Sequence, residues 1–421
     1  MEKSASIKLM VLLTALALIC MPLLAGAGEE GNGDTGSWLI RGAEIRTVTR
    51  GNIHGGDILF RNGVISEIGT SLEAPGDARV IDASGMVVTP GLIDSHSHLG
   101  TGVTWLKSEE NDGSGPSTPH MRILDSMHPE GIVPHAGSYR DALAEGVTTV
   151  ISRPGSGNVI GGQSLAIKLS GGTIDDMILK HPADMKMAMG RKSYPGTRTR
   201  MGVAQVVRKA MRDALEYGRK WERYEEKVQE GSELPPPERN LTNEAMLQVL
   251  KRELPVHIHC SGIADILTAV RLGDEFGFYK LSLAHGDESW RIADELAERG
   301  IMVVVGPNIV VYDEAGNLIN LPSYLVEHGV EINIMTDTDI VQQEFLRHQA
   351  AVAIRHGLSQ EEALKAITIN PAKLIEAEDR IGSLEKGKDA DLAIFDGDPF
   401  DFQTSVQWVF IDGSPIFVKT D

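Results

Sequence analysis

The chain has 421 residues, a formal net charge of −19 and a hydrophobic content of 42%. Such a composition is typical of a globular protein and excludes a disordered or coiled-coil chain. The acidic balance argues against a nucleic-acid partner, because binding to phosphates depends on clustered Lys and Arg. The length allows two to three domains of ~150 residues, or one large barrel with a small second domain.

Residues 1–27 have the pattern of a secretory signal peptide. Basic residues precede an apolar run from Leu9 to Leu24, and the small residues Ala25-Gly26-Ala27 follow it. The alternative is an uncleaved anchor helix, but the run is shorter than the ~20 residues of a bilayer span and Pro22 interrupts it. We therefore expect export to a periplasmic or extracellular location after cleavage near Ala27. Membrane contact is expected only through this segment if it stays uncleaved.

Two β-rich segments lie at opposite ends of the remaining chain. Residues 37–88 contain short alternating strands separated by Gly and Asn, and residues 378–421 have the same pattern. This spacing predicts small antiparallel β units. We expect the two segments to form one composite β-sandwich domain, with a barrel made of residues 89–377 inserted between them.

The middle region alternates strand-like runs with helical stretches. Its strand-like runs are GVTTVISR, MKMAMG, PVHIHC, LSLAHG, IMVVVGP and VEINIMTD. Repeated β–α units predict a parallel sheet covered by helices, either a (β/α)8 barrel or an open doubly wound sheet. Polar residues at the ends of the strands favour the barrel, because barrel enzymes build their sites there. An amphipathic helix is predicted over 203–224, followed by a charged loop over 225–240.

Two histidines stand two positions apart in the segment VVTPGLIDSHSHLG. Because side chains alternate along a strand, His96 and His98 leave the same face and can meet one metal ion. Taken alone the pair is weak evidence, since His257 and His259 repeat the spacing. Histidines of the core or the surface would give the same pattern.

Three more side chains that can bind metal lie at predicted junctions between a strand and a helix. His259 ends PVHIHC, His285 ends LSLAHG and Asp337 ends VEINIMTD. The carboxyl ends of barrel strands meet at one mouth. The sequence therefore predicts a metal site at this mouth, built by His and Asp side chains from separate strands.

Seven segments of the chain follow one another in a characteristic order: PGLIDSHSHLG, GVTTVISRPGSGNVIGGQ, MKMAMG, HCSGIADI, AHGDESWRIADEL, IMTDTD and IGSLEKGKDADLAIFDGDP. In this order they resemble the amidohydrolase superfamily, and in particular its imidazolonepropionase-related branch. The resemblance covers nearly all of residues 37–421 and is specific for the family, but not for a substrate. It implies a metal-dependent (β/α)8 TIM-like barrel with a small composite β domain.

The resemblance also implies roles for individual residues. His96 and His98 match the two ligands at the end of the first barrel strand. His259 and His285 match the histidines of the fifth and sixth strands. Asp337 matches the aspartate of the eighth strand, which binds metal and also transfers protons.

Lys186 in MKMAMG resembles the fourth-strand lysine that some relatives carbamylate to bridge two ions; a structural lysine is the alternative. Relatives usually continue with Gly-Glu-Asn-Pro-Lys, whereas this chain continues with Gly190-Arg191-Lys192-Ser193. An acidic residue is therefore missing and two cations stand nearby. Ser261 occupies a position at which relatives often carry a second histidine. These differences keep a degenerate or weakly active protein under consideration.

The mechanism that the resemblance implies is hydrolysis by a water that a divalent ion activates. The ion lowers the pKa of such a water from 15.7 toward ~7. Asp337 would take the proton from the attacking water and deliver it to the leaving nitrogen. His285 or His259 would stabilise the oxyanion, in place of metal binding or in addition to it. The bond broken would be the C–N bond of an amide, cyclic amide or amidine.

Four polar residues near the predicted mouth are candidates for substrate binding. Arg153, Asn158 and Gln163 lie in RPGSGNVIGGQ, which we interpret as an active-site loop because its spacing fits neither the P-loop nor the dinucleotide motif. Arg200 could bind a carboxylate through two parallel hydrogen bonds, although a solvated arginine is the alternative.

Three functions remain compatible with the sequence. The first is an exported, metal-dependent hydrolase that cleaves a C–N bond of a small molecule. That bond is either not a peptide bond or belongs to a dipeptide-like substrate. The second is a deaminase or an imidazolonepropionase-like cyclic amide hydrolase. The third is a non-catalytic binding protein on the same frame. The four His and one Asp at ligand positions favour an enzyme with one or two divalent ions per chain, Zn first, with Fe, Mn, Co or Ni as alternatives. A homo-oligomer is left open.

Overall fold

A computed structural model describes residues 36–101, 109–128, 138–192, 194–338 and 340–420. The predicted signal peptide at residues 1–27 lies outside the described residues. No helix in the described part of the chain combines the length and the apolar character that a bilayer span requires.

Twenty strands form the sheets of the described chain. In chain order they are β1 (Trp38–Arg46), β2 (Asn52–Arg61), β3 (Val64–Gly69), β4 (Arg79–Asp82), β5 (Val87–Pro90), β6 (Leu92–Ser97), β7 (Val147–Ser152), β8 (Ile160–Gln163), β9 (Leu165–Lys168), β10 (Ile178–Lys180), β11 (Met185–Ala188), β12 (Val256–Cys260), β13 (Ser282–His285), β14 (Met302–Val305), β15 (Val310–Tyr312), β16 (Leu318–Asn320), β17 (Ile332–Ile334), β18 (Leu392–Phe395), β19 (Val406–Ile411) and β20 (Ser414–Val418).

Ten α-helices and three short 3-10 helices connect these strands. The α-helices are α1 (Tyr139–Ala144), α2 (Ile174–Met177), α3 (Arg200–Gln229), α4 (Leu241–Leu250), α5 (Ile263–Phe276), α6 (Ala293–Glu298), α7 (Leu321–Glu327), α8 (Leu346–Arg355), α9 (Gln360–Ala366) and α10 (Ile369–Leu374). The 3-10 helices cover Ile123–Ser126, Ser289–Ile292 and Gln343–Phe345.

Strands from both ends of the chain share one eight-stranded sheet. Its order is β20-β19-β18-β5-β1-β2-β3, and β4 pairs with β1. The two segments meet where β18 runs antiparallel to β5, with Ile394 opposite Val88. Their buried side chains form a common core in which Trp38, Phe60 and Phe410 pack edge to face at centroid distances of 5.1–5.2 Å. Strands of the two segments thus lie in one sheet, and the composite β-sandwich domain stays a prediction.

The middle region forms mixed sheets rather than a purely parallel one. Strands β11, β12, β13, β14 and β17 are parallel neighbours, as are β6 and β7. In contrast, β9 is antiparallel to β7, and β8 is antiparallel to β11. The expectation of parallel strands throughout is therefore wrong at β8 and β9, because the chain reverses direction between β7 and β8. Most residues of these strands are buried, and Val, Ile, Leu and Met are frequent among them, as expected for a sheet covered on both faces.

Backbone hydrogen bonds link the two middle sheets in two places. Beside β9 and β11, Ser164 donates to the carbonyl of Asp184 at 2.9 Å, and Ala183 donates to that of Ser164 at 2.9 Å. Beside β6 and β17, the N–H of Asp337 donates to the carbonyl of His96 at 3.1 Å. The described ladders do not close into one continuous barrel, but these bonds bring the ends of β6 and β17 together.

The long helix α3 contains the predicted amphipathic helix and extends beyond it. Thr199 caps its N-terminus by accepting a hydrogen bond from the backbone N–H of Gly202. The apolar face buries Val203, Val207 and Met211. The helix continues to Gln229, five residues into the segment predicted as a loop, since Glu and Lys in that segment are good helix formers.

Candidate metal centre

Three ligand atoms from β6 and the segment after β17 converge on one point. The Nε2 atoms of His96 and His98 each lie 3.5 Å from Oδ1 of Asp337, and all three ligand atoms lie within 4.8 Å of one another. Two ligands bound to a tetrahedral ion at about 2.1 Å would stand about 3.4 Å apart. The spacing of these atoms therefore fits a single divalent ion, and the predicted alternation of His96 and His98 brings their rings together.

Backbone carbonyls determine which ring nitrogen two of the histidines present to the site. Nδ1 of His98 lies 2.8 Å from the carbonyl of Arg153, and Nδ1 of His285 lies 2.8 Å from that of Gly306. Because a carbonyl only accepts, each Nδ1 carries a proton in these contacts. Each Nε2 therefore keeps its lone pair for an ion.

His259 lies beside these ligands, but no described carbonyl accepts a hydrogen bond from its Nδ1. Its ring centroid is 4.5 Å from that of His285, and its Nδ1 is buried without a hydrogen-bond partner among the described residues. An orphaned buried nitrogen is costly unless something binds it. Nδ1 of His259 is therefore an available ligand atom, while the ligand atoms with metal-binding spacing among the described residues are those of His96, His98 and Asp337.

Lys186 is fully buried on β11 and points at the same cluster. Its Nζ lies 3.3 Å from Nε2 of His96. The pKa of Lys186 falls to about 7, because burial lowers it, the carboxylate of Asp337 only partly opposes the shift, and the charge of Arg153 adds to it. The ammonium form is therefore much less favoured here than on a surface lysine.

The electrostatics of the site favour neutral imidazoles and an ionised carboxylate. Burial, and then the positive charge of Lys186, lowers the pKa of His96 well below its usual value. Burial also lowers the pKa of His259, followed by the effect of His285. For Asp337, burial raises the pKa, but the combined effect of the neighbouring His98, His285 and Lys186 outweighs burial and the pKa falls to about 2. Neutral imidazoles and a carboxylate are the ionic forms that bind a divalent cation.

The backbone is strained at two of the candidate ligands. His285 has φ of 68° and Asp337 has φ of 53°, both in the left-handed region that non-glycine residues rarely occupy. Such conformations persist where the surrounding structure holds them, and they are concentrated at functional sites. The strain supports a functional role for these two residues.

A buried polar network that the sequence reasoning missed holds the strand ends in place. Gln343 donates to Asp94 Oδ2 at 2.6 Å and accepts from the hydroxyls of Ser97 and Thr338. Asp94 in turn accepts from the hydroxyl of Thr336 at 2.6 Å and from the backbone N–H of His96 at 3.0 Å. The network therefore joins the residues next to His96, His98 and Asp337.

His257, which the sequence analysis named only because it repeats the His-x-His spacing, also lies at the site. It is fully buried, with Nε2 2.8 Å from Nδ1 of His96 and Nδ1 2.8 Å from Oγ of Ser282. The available signal was its position on β12, two residues before His259, which directs both side chains to the same face.

The predicted substrate-binding role of Arg153 is corrected by its surroundings. Its guanidinium is fully buried, donates to the carboxylate of Asp184 at 3.1 Å and also contacts the carbonyl of Ser95. A buried, paired guanidinium has no free donor face for a ligand. Arg153 therefore stabilises the ends of the strands through its contacts with Asp184 and Ser95.

The other three candidates for substrate binding also contact protein atoms. The amide of Asn158 donates to the carbonyls of Asp112 and Gly115 at 2.8 and 2.7 Å, and it braces a loop. Gln163 ends β8, and its amide lies 3.5 Å from the carbonyl of Pro119. Arg200 is paired with Asp265 at 2.8 Å. Direct contact of these three with a substrate stays a prediction, and RPGSGNVIGGQ is partly strand rather than loop.

The two cations that replace the expected acidic residue lie in different environments. Arg191 is exposed, whereas Nζ of Lys192 donates to the carbonyl of Ser156 at 2.6 Å. Burial lowers the pKa of Lys192 to about 8. Lys192 is close enough to lower the pKa of His259, which indicates a positive charge at the rim of the site.

Three comparisons with known proteins agree with this geometry. The Amidohydrolase family matches residues 87–419. A crystal structure of an amidohydrolase from Thermotoga maritima MSB8 has a TM-score of 0.81 at 37% identity and covers 91% of this chain and 100% of that chain. An imidazolonepropionase of Brevibacillus brevis is 25% identical over 381 residues, 82% of this chain and 84% of the relative. Amidohydrolase tasK of Hapsidospora irregularis is 28% identical over 398 residues, 86% of this chain but 40% of that protein.

The chain belongs to the amidohydrolase family. Within the superfamily it is imidazolonepropionase-related, as several imidazolonepropionases match most of its length. The family and its structural neighbours imply a TIM-like barrel. The chain is accordingly a hydrolase of carbon–nitrogen bonds in small molecules, with a candidate site for the divalent ions that this family generally binds.

Proposed function

We propose that this chain is an exported (β/α)8-barrel hydrolase that cleaves a C–N bond with the help of one or two divalent ions. The observation that carries the proposal is the convergence of His96 Nε2, His98 Nε2 and Asp337 Oδ1 at 3.5 Å separations. The same residues would hold a first ion. His259, through its orphaned Nδ1, and His285, through Nε2, would hold a second.

A bound divalent ion supplies Lewis acidity, which polarises a carbonyl and makes water acidic near neutral pH. This set of nitrogen and oxygen ligands suits Zn, Fe, Mn, Co and Ni, so the metal depends on availability as well as affinity. We place Zn first. Lys186 would bridge the two ions if its neutral amine is carbamylated, and its burial favours that neutral form.

Asp337 is the proposed general base and acid. Its pKa of about 2 keeps it a carboxylate near neutral pH, able to accept a proton from the attacking water. The proton then passes from Asp337 to the leaving nitrogen. The N–H of Asp337 donates to the carbonyl of His96, which holds the backbone of Asp337 at the end of β6.

His285 is better suited to bind an ion than to stabilise an oxyanion. Its proton lies on Nδ1, which donates to Gly306, so Nε2 has a lone pair and no hydrogen to donate. A neutral His285 in this tautomer cannot donate a hydrogen bond to a developing negative charge. We therefore assign His285 to the second ion.

The experiment that tests the proposal joins metal content to hydrolysis. Protein lacking residues 1–27 is expected to hold one or two divalent ions per chain and to hydrolyse at least one C–N substrate, with both properties lost in His96→Ala/His98→Ala. Two ions per chain would support a bridging Lys186. A folded, metal-reconstituted protein without a stoichiometric ion would contradict the proposal.

A cyclic amide is the substrate class that the imidazolonepropionase relatives favour. The panel should therefore include cyclic amides beside dipeptides and N-acyl amino acids, with free ammonia measured to detect deamination. Ring opening without ammonia would support the cyclic amide alternative. Activity only on dipeptides would exclude it.

Export stays part of the proposal because of the N-terminal signal pattern. Expression of the full chain in a bacterial host, followed by fractionation and N-terminal sequencing, tests it directly. A mature terminus near residue 28 outside the cytoplasm is expected. Retention of the full-length chain in the cytoplasm would contradict export.

A further inference from the structure

The buried imidazole of His257 lies between three polar side chains of the barrel interior. In the parallel ladder His257 stands opposite Lys186 on β11 and opposite Ser282 on β13. Its Nε2 is 2.8 Å from Nδ1 of His96, and its Nδ1 is 2.8 Å from Oγ of Ser282. His257 has no access to solvent, so these contacts are its polar environment.

The neighbours of His96 and His257 assign a direction to each hydrogen bond. Nε2 of His96 faces the ion in the proposed centre, and Nζ of Lys186, 3.3 Å away, has protons to donate to it both as an ammonium and as an amine, so that nitrogen bears the lone pair. The proton of neutral His96 is therefore on Nδ1 and is donated to Nε2 of His257. His257 then carries its own proton on Nδ1 and donates it to Oγ of Ser282.

The geometry points to His257 as a positioning residue that fixes the tautomer and the ring orientation of His96, so that Nε2 of His96 faces the ion. This inference rests on the proposed function, because it concerns the same metal centre. His98 and His285 are held in the same way by backbone carbonyls. For His96, in the interior of the strand, a second histidine supplies the acceptor instead.

A role in packing alone makes a different demand on position 257. Packing needs the volume of the ring, whereas positioning needs an acceptor atom that faces Nδ1 of His96. The variant His257→Leu keeps most of the volume and removes the acceptor. The variant His257→Gln offers its amide oxygen near the place of Nε2. His348→Leu, at a half-buried histidine on α8, is the matched control.

The test measures the affinity of each metal-free protein for Zn²⁺ by competition with a chelator. His257→Leu is expected to bind Zn²⁺ about 10–100-fold more weakly than wild type, the usual effect of losing such a partner. His257→Gln and His348→Leu are expected to stay within a few-fold of wild type. Circular dichroism of the metal-free variants confirms that each is folded.

Two results would overturn the inference: wild-type affinity in His257→Leu, or equal losses in the Leu and Gln variants. If wild type itself binds no Zn²⁺, the proposed function fails first. Nitrogen-15 NMR of histidine-labelled wild type tests the same point when His257→Leu does not fold. A proton on Nδ1 of both His96 and His257 is expected, and a proton on Nε2 of His257 would overturn the inference.

Discussion

The backbone N–H of Asp337 donates to the carbonyl of His96 across 3.1 Å, so the first and last strands of the metal centre meet at the residues whose side chains converge. A ligand set assembled from distant parts of the chain needs such a junction. Here the separation in sequence is 241 residues, and a second backbone hydrogen bond, from the N–H of His98 to the carbonyl of Thr338 at 3.2 Å, joins the same two segments.

We predict that Asp337→Asn abolishes most hydrolysis while leaving the fold intact. The amide oxygen can still approach an ion but cannot accept the proton of the attacking water. Removing a general base typically lowers the rate by about 10²–10⁴-fold. The check is kcat on an active substrate, with circular dichroism to confirm folding. Asp274→Asn, which affects an exposed ion pair with Arg299, should leave kcat unchanged.

We predict that Gln343→Leu destabilises the protein and weakens ion binding together. The substitution leaves Asp94 without a donor at 2.6 Å and leaves the hydroxyls of Ser97 and Thr338 without their acceptor. A buried polar group left unsatisfied costs about 1–3 kcal/mol. Urea unfolding measures this cost. Gln349→Leu, whose amide lies 3.3 Å from the carbonyl of Pro307, should cost less; equal losses would contradict the assigned role of the network.

We predict that Lys168→Met strongly destabilises the protein, because Lys168 joins the middle region to the segments that carry the eight-stranded sheet. Lys168 ends β9 and is paired with Asp389, Asp391 and Asp412 at 2.6–2.9 Å, with a side chain that is 6% exposed. Removing one partner of a buried ion pair costs about 3–5 kcal/mol, because uncompensated charge stays buried. The free energy of unfolding checks this.

The control for that measurement is Lys209→Met on α3. Lys209 is paired with Asp213 at the surface and its side chain is 70% exposed. Exposed pairs contribute about 0–1 kcal/mol. A loss in Lys168→Met no larger than in this control would contradict the prediction.

We predict that Glu376 contributes stability that is lost in acid. Burial raises its pKa, but hydrogen bonds from Lys180 and Tyr279 outweigh this and lower the pKa to about 2, below its usual 4.5. A lowered pKa means that the contribution is complete above about pH 4.5 and disappears as the pH falls toward 2. Thermal midpoints of wild type and Glu376→Gln should therefore differ near neutral pH and converge in acid. A constant difference down to pH 2 would contradict the assignment.

Local patterns in the sequence were sufficient for the strand that carries His96 and ends next to His98, because the alternation of side chains is a property of any strand. The order of the family motifs was sufficient for the family, which the Amidohydrolase match over residues 87–419 confirms. Strands of the two terminal β segments meet where β18 lies beside β5, while the composite domain predicted from their common pattern stays a prediction.

Such local patterns could not predict contacts between residues that are far apart in the sequence. His257 has the same spacing from His259 as His96 has from His98, yet it binds His96 and Ser282 rather than facing an open mouth. The sequence offered Arg153 as a substrate-binding residue, but its guanidinium is buried and paired with Asp184, 31 residues further along the chain. The sequence does not specify the hydrogen-bond partner of a polar side chain. The groups that surround the side chain once it is buried decide its role.

By itself, the sequence determined the periodicities, the candidate ligands and the family of this protein, because strand alternation, helix formation and motif order depend on residues close together in the chain. Only the tertiary structure decided the direction of β8 and β9, the tautomers of the histidines and the network around Gln343. Each of these depends on which groups meet after the chain has folded, since a hydrogen bond acquires its direction and its energy only from the partner that burial places beside it.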